Sequence, residues 1–342
     1  MKGLTSSLWP IRYRPQPDEL LSSWLVRLAH GHGLKVQTLC NLAFGNRLQV
    51  WNRDIDRLAP LWLIDELCLR TDTPFDVAWD TTLRAYEGRL YPTYRASGML
   101  SWILMLNLYH RKRRGFGMQF CPRCLATDLV PYLRKSWRVA FNTVCSLHGN
   151  LLADRCPACG ESIAIHRISM VRPDALDETS LAYCCSCEFD LRKAPVLSPS
   201  VYDAPSSNLL YGLSSALLSG LHDQTVWDLG RFQVMHHICR IMTTRSVRVR
   251  LREFAADACG VTDIDLVNGY RNFETRNIEE RHHVIQLAAW IMDEPALRLT
   301  HAWQAGFIRY STFLKGFDGT PDWYVRVVKK FSNWRTRPMY DT

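Results

Sequence analysis

Four closely spaced pairs of metal-ligand residues, running from Cys121 to Cys187, constrain this chain more than any other feature. Cys121 and Cys124 form C-x2-C, and Cys145 and His148 form C-x2-H after 20 intervening residues. Cys156 and Cys159 form a second C-x2-C, which Cys184 and Cys187 repeat after 24 more residues. Each pair turns tightly enough for both side chains to face one ion at about 2.0 to 2.3 Å. The combined sets suit one zinc site of three cysteines with a histidine and another of four cysteines. Gly149 and Gly160, just past two of the pairs, permit the positive φ that such turns often need. The spacing therefore predicts two structural Zn2+ ions held by consecutive pairs. A cross-braced arrangement, with the first and third pairs sharing an ion, is the alternative, and the short separations favour the sequential one. Cys185 could replace Cys184, although Cys184 and Cys187 have the better spacing. The isolated Cys40, Cys68, Cys239 and Cys259 read as ordinary buried cysteines.

Composition supports metal binding over disulfides. The opening MKGLTSSLWPIRYRPQPDEL has no continuous apolar run, and the longest such run, MLSWILMLNLYH, is too short to span a bilayer. The expectation is a soluble, cytoplasmic protein with no membrane association, where reducing conditions keep clustered thiols available to metals. With 342 residues, 47% of them hydrophobic, the chain can form two or three domains with real cores. Its 42 Lys and Arg against 33 Asp and Glu give a formal charge of +9, and loading seven thiolates with two dications still leaves +6. That sign favours a polyanionic partner.

Catalytic signatures are missing. Four protein ligands per ion close both sites, whereas catalytic zinc keeps a position open for water. No histidine stands two residues before a glutamate, as a zinc deaminase would require. H-E-x-x-H and G-x-x-x-x-G-K-[ST] are absent as well. The expectation is a protein that is not an enzyme, with a zinc-dependent nucleic-acid enzyme as the remote alternative.

The stretch FCPRCLATDLVPYLRKSWRVAFNTVCSLHGNLLADRCPACG, with its CPxCL, Asp128, Pro131-Tyr132, Ser136-Trp137-Arg138, CxxHG and CPxCG, resembles the TniQ family. RPQPDELLSSWLVRLAHGHGL resembles that family's opening helix, and PFDVAWDTTLRAYEG the helix ahead of its zinc region. Together these cover roughly residues 10 to 165. The resemblance implies a target-selection protein of DNA transposition that links a recognised site to an AAA+ ATPase and a transposase. Some members bind attachment-site DNA directly, in the TnsD-like manner. Others ride on an RNA-guided CRISPR effector of the Cascade type, often as dimers.

The fold class read from the pattern is mainly α, with an N-terminal helix-turn-helix-like bundle (1–114), a central double zinc-binding module (115–197) and a basic C-terminal helical domain (198–342). Pro17, Asp18 and Glu19 are expected in the first turn of a helix, the two acids favoured by its dipole. Leu20, Leu21, Trp24, Leu25 and Leu28 would share one face, and Gly31 and Gly33 would end it. A second helix follows with Val36, Leu39, Cys40, Ala43 and Phe44 inward. Such a pair occurs in DNA-binding modules and in any helical bundle. Thr73 is expected to cap a single helix over PFDVAWDTTLRAYEG, with Phe75, Ala78, Trp79, Leu83 and Tyr86 in the core.

Basic residues supply the nucleic-acid candidates. Arg111, Lys112, Arg113 and Arg114 form a mobile loop beside the first zinc site in this reading, and Arg245, Arg248, Arg250 and Arg252 cluster later. Arg123, Arg134, Lys135, Arg138 and Arg155 are expected in part to balance the metal sites. After a Pro and Ser-rich linker, KAPVLSPSVYDAPSSN, the C-terminal part is helical. Its last helix, TPDWYVRVVKKFSNWRTRP, would face Tyr324, Val327, Val328 and Phe331 inward and Arg326, Lys329, Lys330 and Arg335 outward. The function expected is a target-selection adaptor seated on a Cascade-type effector with its guide RNA. The alternative is a direct reader of DNA that uses the Arg-rich part.

Overall fold

The computed structural model of the chain describes residues 8–45, 50–106, 108–109, 112–113, 115–168, 179–221, 227–244, 249–267, 272–317 and 319–331, with backbone alone at 108–109 and 112–113. The chain is mainly helical and divides into two compact units: Met1–Pro199 with Ser214–Asp223, and Ser200–Leu213 with Gln224–Thr342. No described helix is long and apolar enough to cross a membrane.

The first unit is built around helix α1, Leu21–Gly31, in which every residue from Leu21 to His30 is buried. A helix enclosed on all sides cannot present a recognition face to DNA. It begins later than its proline and acids suggest. Asp18 adopts a left-handed φ of 57°, and Gln16 to Glu19 close a turn through Glu19 N to Gln16 O (3.0 Å) and Gln16 N to Glu19 Oε2 (2.9 Å). Pro17, Asp18 and Glu19 therefore precede the helix. Its first N–H groups are satisfied by neighbouring chain: Leu20 N donates to Leu133 O and Leu21 N to Thr81 O, both at 2.9 Å. Freed from a dipole role, Glu19 is a buried anchor, 2.6 Å from Arg27 Nη1 and accepting from Ser23 Oγ at 2.8 Å.

Helix α2, Val36–Phe44, follows the expected glycine turn and buries Val36, Leu39 and Cys40. Its exposed residues, Thr38, Asn41 and Leu42, include no basic side chain. Helices α3 (Ile55–Leu58) and α4 (Leu61–Thr71) come next, α3 capped by Asp54, which accepts from Arg57 N. The single helix expected over residues 74–88 is instead α5, Phe75–Asp80, followed by a separate 3-10 turn, Leu83–Tyr86. The break lets Thr81 O serve α1, and it leaves Phe75 46% exposed, stacked on Trp79 rather than buried. Thr73 does not cap α5; its hydroxyl pairs with Thr71 Oγ1 at 2.7 Å. Lys112–Arg113 form a two-residue strand antiparallel to Leu108–Tyr109.

In the second unit, helix Leu229–Met242 is capped by Asp228 and helix Ile278–Asp293 by Asn277. The latter buries Val284, Leu287, Ala288 and Ile291, and also Arg281, His282, His283 and Gln286. Polar burial is offset by bonding: the His283 ring pairs with Tyr202 Oη (2.8 Å) and Asp263 Oδ1 (2.9 Å), and Gln286 Oε1 accepts from Tyr202 N (3.1 Å). The expected linker ends at Asp203, which accepts from Ser206 N as helix Ala204–Leu218 begins. The last described helix, Asp322–Val328, buries Tyr324 and Val328, with Phe331 buried beyond it and Val327 half-buried.

Candidate metal centres and basic residues

At the first centre, helix α6 (Pro122–Thr127) starts at a ligand. Cys121 is its N-cap, the sulfur accepting from Cys124 N at 3.5 Å, and Pro122 occupies the first turn, where its missing N–H is not needed. The opposing pair sits on a turn in which Gly149 N donates to Cys145 O and Cys145 N to Asn150 O, both at 2.8 Å. Cys124 and Cys145 sulfurs are 3.5 Å apart, and His148 Nδ1 lies 3.7, 3.3 and 3.7 Å from the sulfurs of Cys121, Cys124 and Cys145. The three cysteines are buried and His148 is partly exposed. The Asn150 side-chain amide lies 3.3 Å from the Cys121 sulfur.

The second centre is built from two turns of the same kind. Cys156 N donates to Glu161 O (2.9 Å) and Gly160 N to Cys156 O (2.9 Å); Cys184 N donates to Phe189 O (2.9 Å) and Glu188 N to Cys184 O (3.1 Å). Three turns thus share one bonding pattern, and the residue after the second ligand is left-handed in each: Gly149 at φ 66°, Gly160 at 73° and Glu188 at 62°. Glycine takes this conformation freely and glutamate does not. Cys156 and Cys187 sulfurs are 3.6 Å apart, and Cys159 and Cys184 sulfurs 3.7 Å. Cys156 and Cys184 are buried, whereas Cys159 and Cys187 are exposed.

In both groups the ligand atoms all lie within 4.8 Å of one another. A tetrahedral ion with metal–sulfur bonds of about 2.3 Å requires sulfur separations of about 3.7 Å, so the donors fit. A disulfide would require about 2.05 Å, and all twelve cysteines are free. Consecutive pairs combine, as in the sequential arrangement. Cys185 belongs to neither group; it packs with Ala164, Ile168 and Tyr183.

The basic residues in and around the first two pairs are held mainly by partners other than the ligands. Arg138, fully buried, lies 2.6 Å from Asp54 and 3.2 Å from Asp56, and donates to Leu104 O. Burial alone would lower its pKa, but Asp54 and Asp56 hold it above the usual range. Lys135 Nζ is 2.7 Å from Asp80 Oδ1, and it lies over the Tyr86 ring. Arg134 makes a bidentate pair with Asp128 (2.8 and 3.0 Å) over Tyr132 and Trp137. Arg155 pairs with Asp154 and lies over Phe116. Carboxylates and aromatic rings are the direct partners of these four cations, and Arg134 also interacts electrostatically with Cys124, in line with the expectation that some of them balance a metal site. Arg123 is exposed on α6.

Among the remaining candidates, Arg111, Arg114, Arg245 and Arg248 lie outside the described residues, as do the side chains of Lys112 and Arg113 and the whole of Arg335. Arg250 is exposed, 3.1 Å from Glu253 and over the Phe307 ring. Arg252 is held by Asp263 Oδ1 (2.6 Å), Met242 O (3.0 Å) and Ile264 O (3.1 Å). Burial would raise the Asp263 carboxyl, but His283 and Arg252 bring it down to about 2. Arg326, Lys329 and Lys330 are exposed or half-exposed. Sequence reading missed Glu188 and Asn150. Aligning the three turns on their ligands places Glu188 where Gly149 and Gly160 stand; Asn150 carries no comparable signal.

Residues 10–152 match the protein-family model TniQ. The match contains the first centre and stops before Cys156. No curated protein matches the chain.

Proposed function

We propose, from the premise that residues 10–152 are a TniQ-family region, that the chain is a non-catalytic adaptor selecting target sites for DNA transposition. That match carries the reading. In this proposal each centre holds a structural Zn2+, one on Cys121, Cys124, Cys145 and His148 and one on Cys156, Cys159, Cys184 and Cys187. Four protein ligands leave no open position on either ion for a substrate, which supports a structural role. The adaptor works in the cytoplasm, as a monomer or homodimer. It docks on a Cascade-type effector carrying guide RNA and passes the target to an AAA+ ATPase and a transposase. The helical part (1–114), the zinc module (115–197) and the C-terminal domain (198–342) divide this work.

Internal commitment of cations supports docking over direct DNA reading. Arg134, Lys135 and Arg138 are buried in ion pairs, and Arg252 is bound by one carboxylate and two carbonyls. Contacts to DNA then come from exposed groups such as Arg250, Lys329 and Lys330, whose contacts to phosphate carry no base information. Purified protein should bind duplex DNA at roughly 10^-4 to 10^-6 M, weakened steeply by salt and indifferent to sequence. Titration of matched and scrambled duplexes over a salt series, with and without the effector, checks this. A preference of at least roughly 10^3-fold for one duplex by the protein alone would replace the reading with direct, TnsD-like recognition of an attachment site.

A further inference from the structure

A groove of about 860 Å³ in the first unit runs between the turn before α1 and the region from α5 to Arg89. Although the chain as a whole carries +9, five carboxylates line this groove against the guanidiniums of Arg84 and Arg89. Glu19 and Asp80 are answered by Arg27 and Lys135, and Glu87 accepts from Tyr94 N. The two arginines are engaged too: Arg84 lies over the Trp79 and Tyr94 rings, and Arg89 donates to Gly220 O at 3.0 Å.

Asp76 is exposed to solvent, which leaves Asp18 as the buried carboxylate short of a partner. Asp18 is 8% exposed, and one of its oxygens accepts from Ser136 N at 3.2 Å. Its other oxygen, Oδ1, is buried without a hydrogen-bond partner. The nearest cations are committed elsewhere, Lys135 to Asp80 (2.7 Å) and Arg134 to Asp128 (2.8 Å). The remaining titratable neighbours, Tyr86 and Tyr132, are neutral phenols whose own pKa values are raised, chiefly by burial. Burial pushes the Asp18 carboxyl up to about 7, and Lys135, Ser136 and Arg134 offset this only in part. A buried acceptor of this kind costs free energy until a donor reaches it.

A metal ion does not suit the groove. Among the described residues, donor atoms close enough to share an ion occur only in the two cysteine-bearing groups. A basic side chain does suit it: Pro15, Pro17, Val77 and Trp79 offer apolar wall to an alkyl stem, and the carboxylates receive the charged end.

We propose that this groove is a docking site for an arginine- or lysine-bearing segment of a partner protein, with Asp18 as the buried acceptor for its cation. The proposal stands independently of target selection, since it needs only the groove.

The test uses the metal-loaded full chain and a fluorescein-labelled Gly-Arg-Gly-Arg-Gly peptide, compared with the same peptide carrying citrulline in place of arginine. The arginine peptide should bind about tenfold or more tightly than its neutral counterpart, the range expected of one charge-assisted bond. Asp18→Asn, which retains an oxygen for Ser136 N and tolerates the left-handed backbone, should abolish most of that difference. Binding should weaken as pH falls from 8 to 6, because the carboxyl takes up a proton near 7, and Asp18→Asn should remove this dependence. Stability supplies a second readout. The native carboxyl keeps a proton that the unfolded chain releases near 3.8, so Asp18 makes stability fall as pH rises from 3.8 to about 7, and the variant should flatten that fall. If Asp18→Asn does not fold, Asp76→Asn at the exposed wall serves as the substitute. Equal binding of the two peptides, or unchanged affinity in a folded variant, overturns the proposal. Self-association that the arginine peptide disrupts would assign the groove to a second copy and overturn the partner named here.

Discussion

The two candidate metal centres use nearly the same donors on nearly the same turns, yet the fold holds them differently. In the first, three ligands are buried and His148 is partly exposed; in the second, Cys159 and Cys187 stand in solvent. The cause lies in the chain between the pairs. Between Cys124 and Cys145 run Lys135 and Arg138, whose buried ion pairs reach Asp80, Asp54 and Asp56 in the helical part of the unit. Asp18 O accepts from Lys135 N, and Leu133 O accepts from Leu20 N, so the same loop also supports the start of α1. Among the described residues, the second centre is tied by Ser180 Oγ to His30 Nδ1, Gln37 Nε2 to His166 O, a stack of Trp51 on His166, and packing of Leu191–Lys193 on α6, with no buried ion pair of the Arg138 kind. Donor chemistry decides which ion can bind, whereas the loop between the donors decides how much of the fold depends on it.

The largest expected effect separates the centres directly. Cys145→Ser should lose one metal equivalent and leave α1 open to proteolysis, because structural zinc contributes roughly 10 to 16 kcal/mol of apparent binding free energy to folding. Cys187→Ser should also lose one equivalent but leave α1 protected. Metal content and limited proteolysis of both variants check this, and equal exposure of α1 in the two would break the comparison.

The buried ion pairs come next. Arg138→Met should destabilise the first unit by about 3 to 5 kcal/mol, since it removes the counter-charge that faces Asp56 and Asp54. Denaturant unfolding of the variant measures it; a loss below about 1 kcal/mol would mean that the loop between the pairs does not anchor the first centre.

The smallest effect is conformational. Glu188→Gly should stabilise the second centre by about 1 kcal/mol by relieving the left-handed glutamate, and Gly160→Ala should cost a similar amount. Thermal unfolding of the two variants should shift in opposite directions.

Much of the centres was legible from spacing. A C-x2-C or C-x2-H pair is a local geometric statement, so the eight donors follow from the order of residues, whereas the fold decided for sequential over cross-braced pairing. The misreadings share one physical origin. Pro17, Asp18 and Glu19 have the composition of a helix start, but the carbonyls of Leu133 and Thr81, which are distant in sequence, take the first N–H groups and move the start to Leu21. PFDVAWDTTLRAYEG has a helical period, but Thr81 must bend to supply one of those carbonyls.

By itself, the sequence determined which side chains can ligate metal, the mainly helical class of the fold and the sign of the overall charge, because each depends on residue type and short spacing. Tertiary structure alone decided what the charges do. Arg134, Lys135 and Arg138 count in composition as surface for a polyanion, yet burial makes an unpaired cation so costly that each is brought against a carboxylate many residues away or across a turn. The same desolvation leaves Asp18, an ordinary acid in the sequence, with a buried oxygen that nothing in its own unit satisfies.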